Sequence, residues 1–284
     1  MTAFNYSFQN KKLEVTYKPI TRELQHWCDE IDNTVKSIAK STTKPIYIGF
    51  SGGIDSEVII NAFTKNNVPF TVLIVEFENN LNKHDIDWAK KHCDQNNLKY
   101  VTIKLDIQRF ITSDINRYLT KGYKAVRIFR YLQLFILETV ESMGGCAVLG
   151  SGEQVYCNID GEICLNREPG YFISLDWCKK NQTTHYPYFF EHNPELFASY
   201  MKLDLIEFLL QKPEYFKNHI DNMSTEKILI YHRYWPTMTR RNKFHGFENI
   251  INLKNSVETQ LRTLFPDVRA QFFPINIIKK QLGI

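Results

Sequence analysis

The chain lacks any apolar run long enough to span a bilayer. Its first residues, Met1 to Lys12, alternate polar and apolar, so a secretory leader is not expected. None of the six cysteines (Cys28, Cys93, Cys146, Cys157, Cys164 and Cys178) forms a C-x-x-C pair, which argues against a closed zinc site of thiolates. An even cysteine count without a leader reads as reduced thiols in a cytoplasmic protein, not as a disulfide framework. No glycine is followed by Lys-Ser or Lys-Thr, so a Walker-type phosphate loop is excluded, and no G-x-G-x-x-G follows a strand-like run. A large excess of one sign of charge is lacking as well. Lys and Arg number 35 against 31 Asp and Glu, and a net charge of +4 is too small to argue by itself for a nucleic-acid partner.

What is present suits a soluble globular protein: 284 residues, 43% apolar and 23% charged. That length accommodates one large domain, or a core with an appended subdomain. Aromatic residues reach 14%, enough to line a site or an interface as well as the core, and the aromatic-rich second half offers a surface for a homodimer.

Residues 4–17 alternate around Asn10-Lys11-Lys12 and predict a hairpin. Residues 21–41 predict an amphipathic helix with Thr21 as N-cap and Leu24, Trp27, Ile31, Val35 and Ile38 on one face. From Lys44 the rhythm becomes strand and helix in turn. Strands are predicted at 46–50, 70–77, 100–105 and 146–149, and helices at 54–66, 83–96, 107–121 and 125–143. Near-continuous apolar strands alternating with helices predict an α/β fold, a twisted parallel sheet with helices on both faces. After residue 150 the regularity fades into hairpin material at 153–176 around Asp160-Gly161, then helices from Pro194 and over 213–234. The tail predicts one helical stretch, then Pro266 and Pro274. The expected organisation is an N-terminal extension (1–43), a nucleotide-binding core (44–155) and a mainly helical C-terminal region for substrate or partner (156–284).

The most informative stretch is Ser51-Gly52-Gly53-Ile54-Asp55-Ser56, placed between the first core strand and its helix. Two glycines let the backbone approach a phosphate closely and adopt positive φ. The free N–H groups and positive dipole end of the helix hold that anion. Ser51 and Ser56 add hydroxyls, and Asp55 offers a carboxylate to the Mg²⁺ that accompanies the phosphates. The competing reading is a plain glycine turn. A second glycine-rich loop, Gly150-Ser151-Gly152-Glu153, follows the fourth strand. In a parallel sheet it can lie on the same edge, with Glu153 as a further Mg²⁺ ligand, or it is a tight turn with a surface Glu.

The segment 51–56 resembles the SGGxDS signature of the PP-loop ATP pyrophosphatases. The resemblance extends over about residues 44–155. It implies an adenine-nucleotide-α-hydrolase-like fold that takes ATP and Mg²⁺, adenylylates a substrate with release of pyrophosphate, and transfers a nucleophile with release of AMP. It also implies that the end of the second strand holds adenine through backbone groups and an apolar wall, here Val75 and Phe77. The Gly-rich loop ending in Glu153 is similar to the asparagine-synthase-like branch, although a single acid followed by Gln154 replaces that branch's Asp-Glu pair. Residue 2 is Thr, so the built-in glutaminase of asparagine synthase is not expected; ammonia, an ammonia-supplying partner protein or an amine would serve. Sulfate-reductase relatives use a C-terminal cysteine motif and deazapurine-nitrile synthases a zinc-binding cysteine cluster, and neither is found.

Three functions stay open on this reading. They are a ligase or amidotransferase acting on a small molecule, a tRNA-modifying enzyme, and a non-catalytic nucleotide-binding module. The cationic-aromatic cluster from Arg233-Tyr234-Trp235 to Arg240-Arg241-Asn242-Lys243-Phe244-His245 suits a triphosphate or an RNA backbone, and also a solvated basic face. Lys243 is the chosen phosphate contact and, with Asp55, the expected catalytic pair. Arg127 and Arg130 either reach the cleft or cover apolar surface with their stems. His84 and Asp85 read as a solvated helix start. Cys157 and Cys164 read as cross-strand packing in preference to persulfide chemistry.

Overall fold

The computed structural model of the protein describes residues 2–9, 12–216, 224–238, 243 and 245–284. The N-terminal hairpin pairs β1 (Phe4–Gln9) with β2 (Lys12–Tyr17). After α1 (Trp27–Ser41) come β3 (Ile46–Gly49), α2 (Ile54–Lys65), β4 (Thr71–Phe77), α3 (Lys83–Gln95) and β5 (Tyr100–Leu105). Short helical turns α4 (Ile107–Arg109), a π-turn (Phe110–Asp114) and α5 (Asn116–Thr120) lead to α6 (Ile128–Ser142) and β6 (Cys146–Val148).

The four core strands form one parallel sheet in the order β5-β4-β3-β6. Their side chains alternate between two apolar layers. Ile46, Ile48, Val72, Ile74, Cys146 and Val148 join the layer made with α1, α2 and α3. Leu73, Phe77, Ala147 and Leu149 join the layer made with α6 and the 107–120 turns. Burial on both faces is why these strands read as nearly unbroken apolar runs. The chain enters at β3, builds outward to β4 and β5, then crosses back to place β6 on the other side of β3. That reversal opens a crevice at the carboxyl ends of β3 and β6, the place where open α/β sheets bind ligands.

The C-terminal region is mainly helical, as expected, and holds a second sheet. Strands β7 (Tyr156–Ile159) and β8 (Glu162–Arg167) form the expected hairpin. They are followed by α7 (Ile173–Asn181), α8 (Pro194–Met201), α9 (Asp204–Leu209), α10 (Ser224–Tyr234) and α11 (Ile251–Leu264). Then β9 (Gln271–Pro274) adds to β8, and α12 (Ile275–Leu282) closes the chain. Pro274 ends an outer strand, where no N–H is required of it. Pro266 lies outside any strand, and the strand that ends at Pro274 was not predicted.

The first helix starts at Trp27, not Thr21. Thr21 instead gives its N–H and hydroxyl to Glu195 (2.7 and 2.8 Å), tying the approach to α1 onto α8. Inside the C-terminal region Arg167 and Glu191 form a buried ion pair, and the Tyr171 hydroxyl donates to Glu191 at 2.7 Å. Burial raises the Glu191 carboxyl, and Arg167 opposes that shift. Cys157 and Cys164 face one another across β7 and β8, with burial pushing the Cys157 thiol up to about 11, so they pack as protonated side chains. No helix among the described residues is long and apolar enough to cross a membrane.

His192 is buried beside the Ser37 hydroxyl (3.4 Å) and the edge of Tyr186, and burial pushes its imidazole down from 6.5 to about 4. Between those values the unfolded chain binds more protons than the folded one. Stability is therefore full above about pH 6.5 and falls as the pH drops toward 4. The expected loss is about 3 kcal/mol, measured by urea denaturation across that window. His192→Gln should flatten this part of the profile; an unchanged slope would remove His192 as its source.

Candidate functional site

The 51–56 segment forms a strand-turn-helix cradle at the crevice. Gly52 takes φ 68°, and Gly53, at φ −88° and ψ 156°, is the N-cap of α2. Gly53 has no side chain with which to cap the helix, so the first-turn N–H groups stay directed at the crevice. The Ser56 hydroxyl donates to the Gly53 carbonyl (2.9 Å) and braces the turn. Lys243 Nζ donates to Ser51 Oγ at 2.9 Å, and a Cβ added to Gly53 would lie 3.0 Å from that same Nζ.

A cleft of about 380 Å³ opens over this cradle. Ser51, Gly53, Asp55, Ser56, Val75, Phe77, Gly150, Ser151, Glu153 and Lys243 all line it, so the structure brings most of the expected residues together. Gly52, Ile54 and Gly152 do not line it. Ile54 packs against the core, and Gly152, at φ 103°, lies under the Glu191 backbone, where a Cβ would come within 3.1 Å of Glu191 N. Gly150 is required for a reason other than phosphate approach: a Cβ there would sit 3.0 Å from Ser56 N, so the loop after β6 lies directly on the first turn of α2. Ser151 Oγ accepts from Gln133 Nε2 (2.7 Å), a residue of α6 that also lines the cleft.

The apolar half of the cleft consists of Leu73, Val75, Phe77, Phe129, Leu132, Ile136, Leu149 and Phe247. Phe247 sets its ring at 65° to Phe77 with centroids 5.6 Å apart. Lys243 and residues 245–249 thus form a strap. Lys243 reaches the loop, Phe247 caps the apolar wall, and Asn249 Nδ2 donates to the Leu81 carbonyl (2.8 Å). The groups at the end of β4 are occupied from within the chain: Phe77 N–H donates to Asn82 Oδ1 (2.8 Å), and Asn82 Nδ2 donates to Val75 O (3.0 Å).

Two residues of the site escaped the sequence reading. Lys227 of α10 is buried, with Nζ 3.3 Å from both carboxylate oxygens of Asp55. One turn later Tyr231, also buried, donates its hydroxyl to Asp55 Oδ1 at 2.7 Å. Burial, then the Asp55 carboxylate, raises the Tyr231 hydroxyl well above its usual value and keeps it a donor. The ring of Tyr231 stacks on Trp27 of α1 (5.5 Å, 4°). The signal was a lysine four residues before a tyrosine within the apolar run Ile228-Leu229-Ile230, which puts both on one helix face.

Asp55 and Glu153 are the cleft's candidate ligands for Mg²⁺. No cluster of three or more His, Cys, Asp or Glu able to hold a metal occurs among the described residues. One or two carboxylates together with phosphate oxygens are what Mg²⁺ usually takes, so the pair fits a nucleotide-borne ion and does not fit a closed protein cage.

Other expectations divide. Arg130 is buried against Tyr171 and Phe129 and touches Gln133 (3.4 Å), while Arg127 lies toward Glu258 (3.5 Å); neither lines the cleft. Arg233 and Tyr234 line a different groove beside His26, whereas Lys243 and His245 reach the cleft. Arg240, Arg241, Asn242 and Phe244 lie outside the described residues. Asp85 departs from a solvated helix start, being buried and lining the cleft beside exposed His84.

Residues 23–145 match the family described as PP-loop domain. No curated protein matches the chain. Among solved structures, an NH3-dependent NAD synthetase from Campylobacter jejuni is similar at 14% identity, covering 85% of this chain and 96% of its own, with a TM-score of 0.37. An NMN synthetase from Francisella tularensis is similar at 17% identity, covering 83% of this chain and 94% of its own, with a TM-score of 0.35. The segment from residue 23 to residue 145, which contains the Ser51-to-Ser56 loop, is thus similar to a PP-loop domain.

Proposed function

We propose that the protein is an ATP-dependent ligase that activates a small-molecule substrate by adenylylation. The reading rests on the meeting of the α2 N-terminus, Lys243 and Lys227 at one loop beside an apolar wall. Adenine occupies the wall of Leu73, Val75, Phe77 and Phe247. The triphosphate lies along the cradle of residues 51–56, where the helix N–H groups and the Ser51 hydroxyl donate to its oxygens.

A substrate oxygen attacks the α-phosphorus; the new O–P bond forms as the bond to the β-phosphate oxygen breaks, and pyrophosphate leaves. Charge develops on that leaving group, so cations placed at the loop act on the barrier and not on binding alone. Lys243 is positioned for this from the strap; Lys227, which does not line the cleft, holds the Asp55 carboxylate from α10. Asp55 and Glu153 would hold Mg²⁺, which would neutralise phosphate oxygens. In the second step a nitrogen nucleophile, ammonia or an amine, attacks the activated carbon; the C–N bond forms, the C–O bond breaks, AMP departs and the nitrogen releases a proton to solvent. Nitrogen transfer of the asparagine-synthase-like kind, supplied with ammonia from outside the chain, is the form of the reaction we favour.

Incubation with ATP and Mg²⁺, adding amino acids, ammonia and bulk tRNA in turn, should yield AMP and pyrophosphate in equal amounts. The addition that stimulates release identifies the acceptor class. ADP and phosphate as products would overturn the reading.

Two substitutions examine the loop's charges. Asp55→Asn keeps an acceptor for Tyr231 and removes the charge, and is expected to lower kcat by roughly 10²-fold or more. Pyrophosphate release at the unaltered rate would sink the metal role. Lys227→Met preserves packing volume and is expected to cost roughly 10²- to 10³-fold in kcat, read in the same assay. A change confined to KM would place Lys227 in ground-state binding only.

A further inference from the structure

The strand edge at the apolar end of the cleft is already engaged. On the β3 side β4 outruns its neighbour: Gly49, the last residue of β3, pairs with Leu73, and the next bond runs from Phe50 N–H to Leu73 O. Beyond that point Val75 O and Phe77 N–H are met by the Asn82 carboxamide, at 3.0 and 2.8 Å. Asn82 is only 6% exposed, yet it lines the cleft with Leu73, Val75 and Phe77.

A carboxamide carries one acceptor and one donor on a single carbon. The Watson–Crick edge of adenine carries the same pair on C6, with N1 accepting and the N6 amino group donating. Asn82 therefore presents to β4 the pattern that an adenine ring would present. The residue also sits immediately before α3, where asparagine is among the preferred caps, but its side chain makes no cap bond. Its polar atoms are committed to the strand instead. The first-turn N–H groups of α3 offer Oδ1 an alternative partner, reached if the backbone of Asn82, now at ψ 24°, turns toward the extended region.

We propose that Asn82 is a stand-in for the nucleotide base, occupying the strand edge that reads adenine and being displaced when adenine enters. This rests on the reading of the cleft as an ATP site. The displacement makes base binding weaker than the open edge would allow and ties it to the turn at 81–82. The strap packs on that turn, since a Cβ on Gly246 would meet Asn82 Cβ and Leu81 O at 2.8 Å each. Base entry and strap position are thereby coupled.

Calorimetric titration of ATP and of inorganic tripolyphosphate into the unaltered protein, Asn82→Ala and Asn82→Asp tests the proposal. Aspartate keeps an acceptor for Phe77 N–H but has no donor for Val75 O. Both variants should bind ATP roughly tenfold more tightly, the scale of one or two net hydrogen bonds, with tripolyphosphate affinity unchanged. ATP affinity that is unchanged or weaker in a folded variant overturns the proposal and leaves Asn82 a turn-holding residue. In the unaltered protein, adenosine alone should shift the NMR resonances of the Asn82 side-chain amide, and resonances that stay in place overturn the proposal even where a variant does not fold. Failure of the unaltered protein to bind either ligand would overturn the ATP reading and this inference with it. Binding of both ligands without a gain in the variants overturns this inference alone.

Discussion

A lysine is seldom buried without an anion beside it, and here Lys227 finds one in Asp55 of the loop. That contact joins two parts of the chain more than 170 residues apart. It fixes α10 against the first turn of α2, and the stacking of Tyr231 on Trp27 extends the hold to α1. Removing the carboxylate would leave Lys227 facing the loop without that counter-charge, a costly state in low-dielectric surroundings. The loop and the C-terminal region are therefore not separable parts; the cradle acquires its cations only when the C-terminal region folds onto it.

The origin of those cations follows from what the loop lacks. A phosphate loop with its own lysine carries its positive charge locally. The Ser51-to-Ser56 loop has backbone N–H groups, two hydroxyls and an acid, and no cation of its own. Lysines come to it from 227, on a helix, and from 243, on the strap. The strap also completes the apolar wall through Phe247, so one short segment contributes to both ends of the cleft.

The parallel sheet sets the position of everything else. With strand order β5-β4-β3-β6, the loops after β3 and β6 are neighbours although nearly a hundred residues separate them. Gly150 allows them to touch, because the backbone of Ser56 fills the space a side chain would need. The same glycine that reads as a phosphate contact is thus a packing requirement, and Gly152 likewise answers to the backbone of Glu191.

The sequence by itself determined the elements whose causes are local. Period-two and near-continuous apolar runs marked all four core strands, glycines with a following helical run marked the cradle, and the Asp160-Gly161 turn marked the β7–β8 hairpin. It misplaced the start of α1 because Thr21 has the composition of an N-cap while its hydrogen-bond partner, Glu195, is remote. It missed β9 because a strand beside two prolines earns its place only through pairing with β8. Only the tertiary structure decided that Lys227 and Tyr231 reach Asp55, that Asp85 is buried, and that Asn82 meets the edge of β4 without capping α3. Each of these depends on which distant groups a side chain meets, and periodicity along the chain carries no record of that.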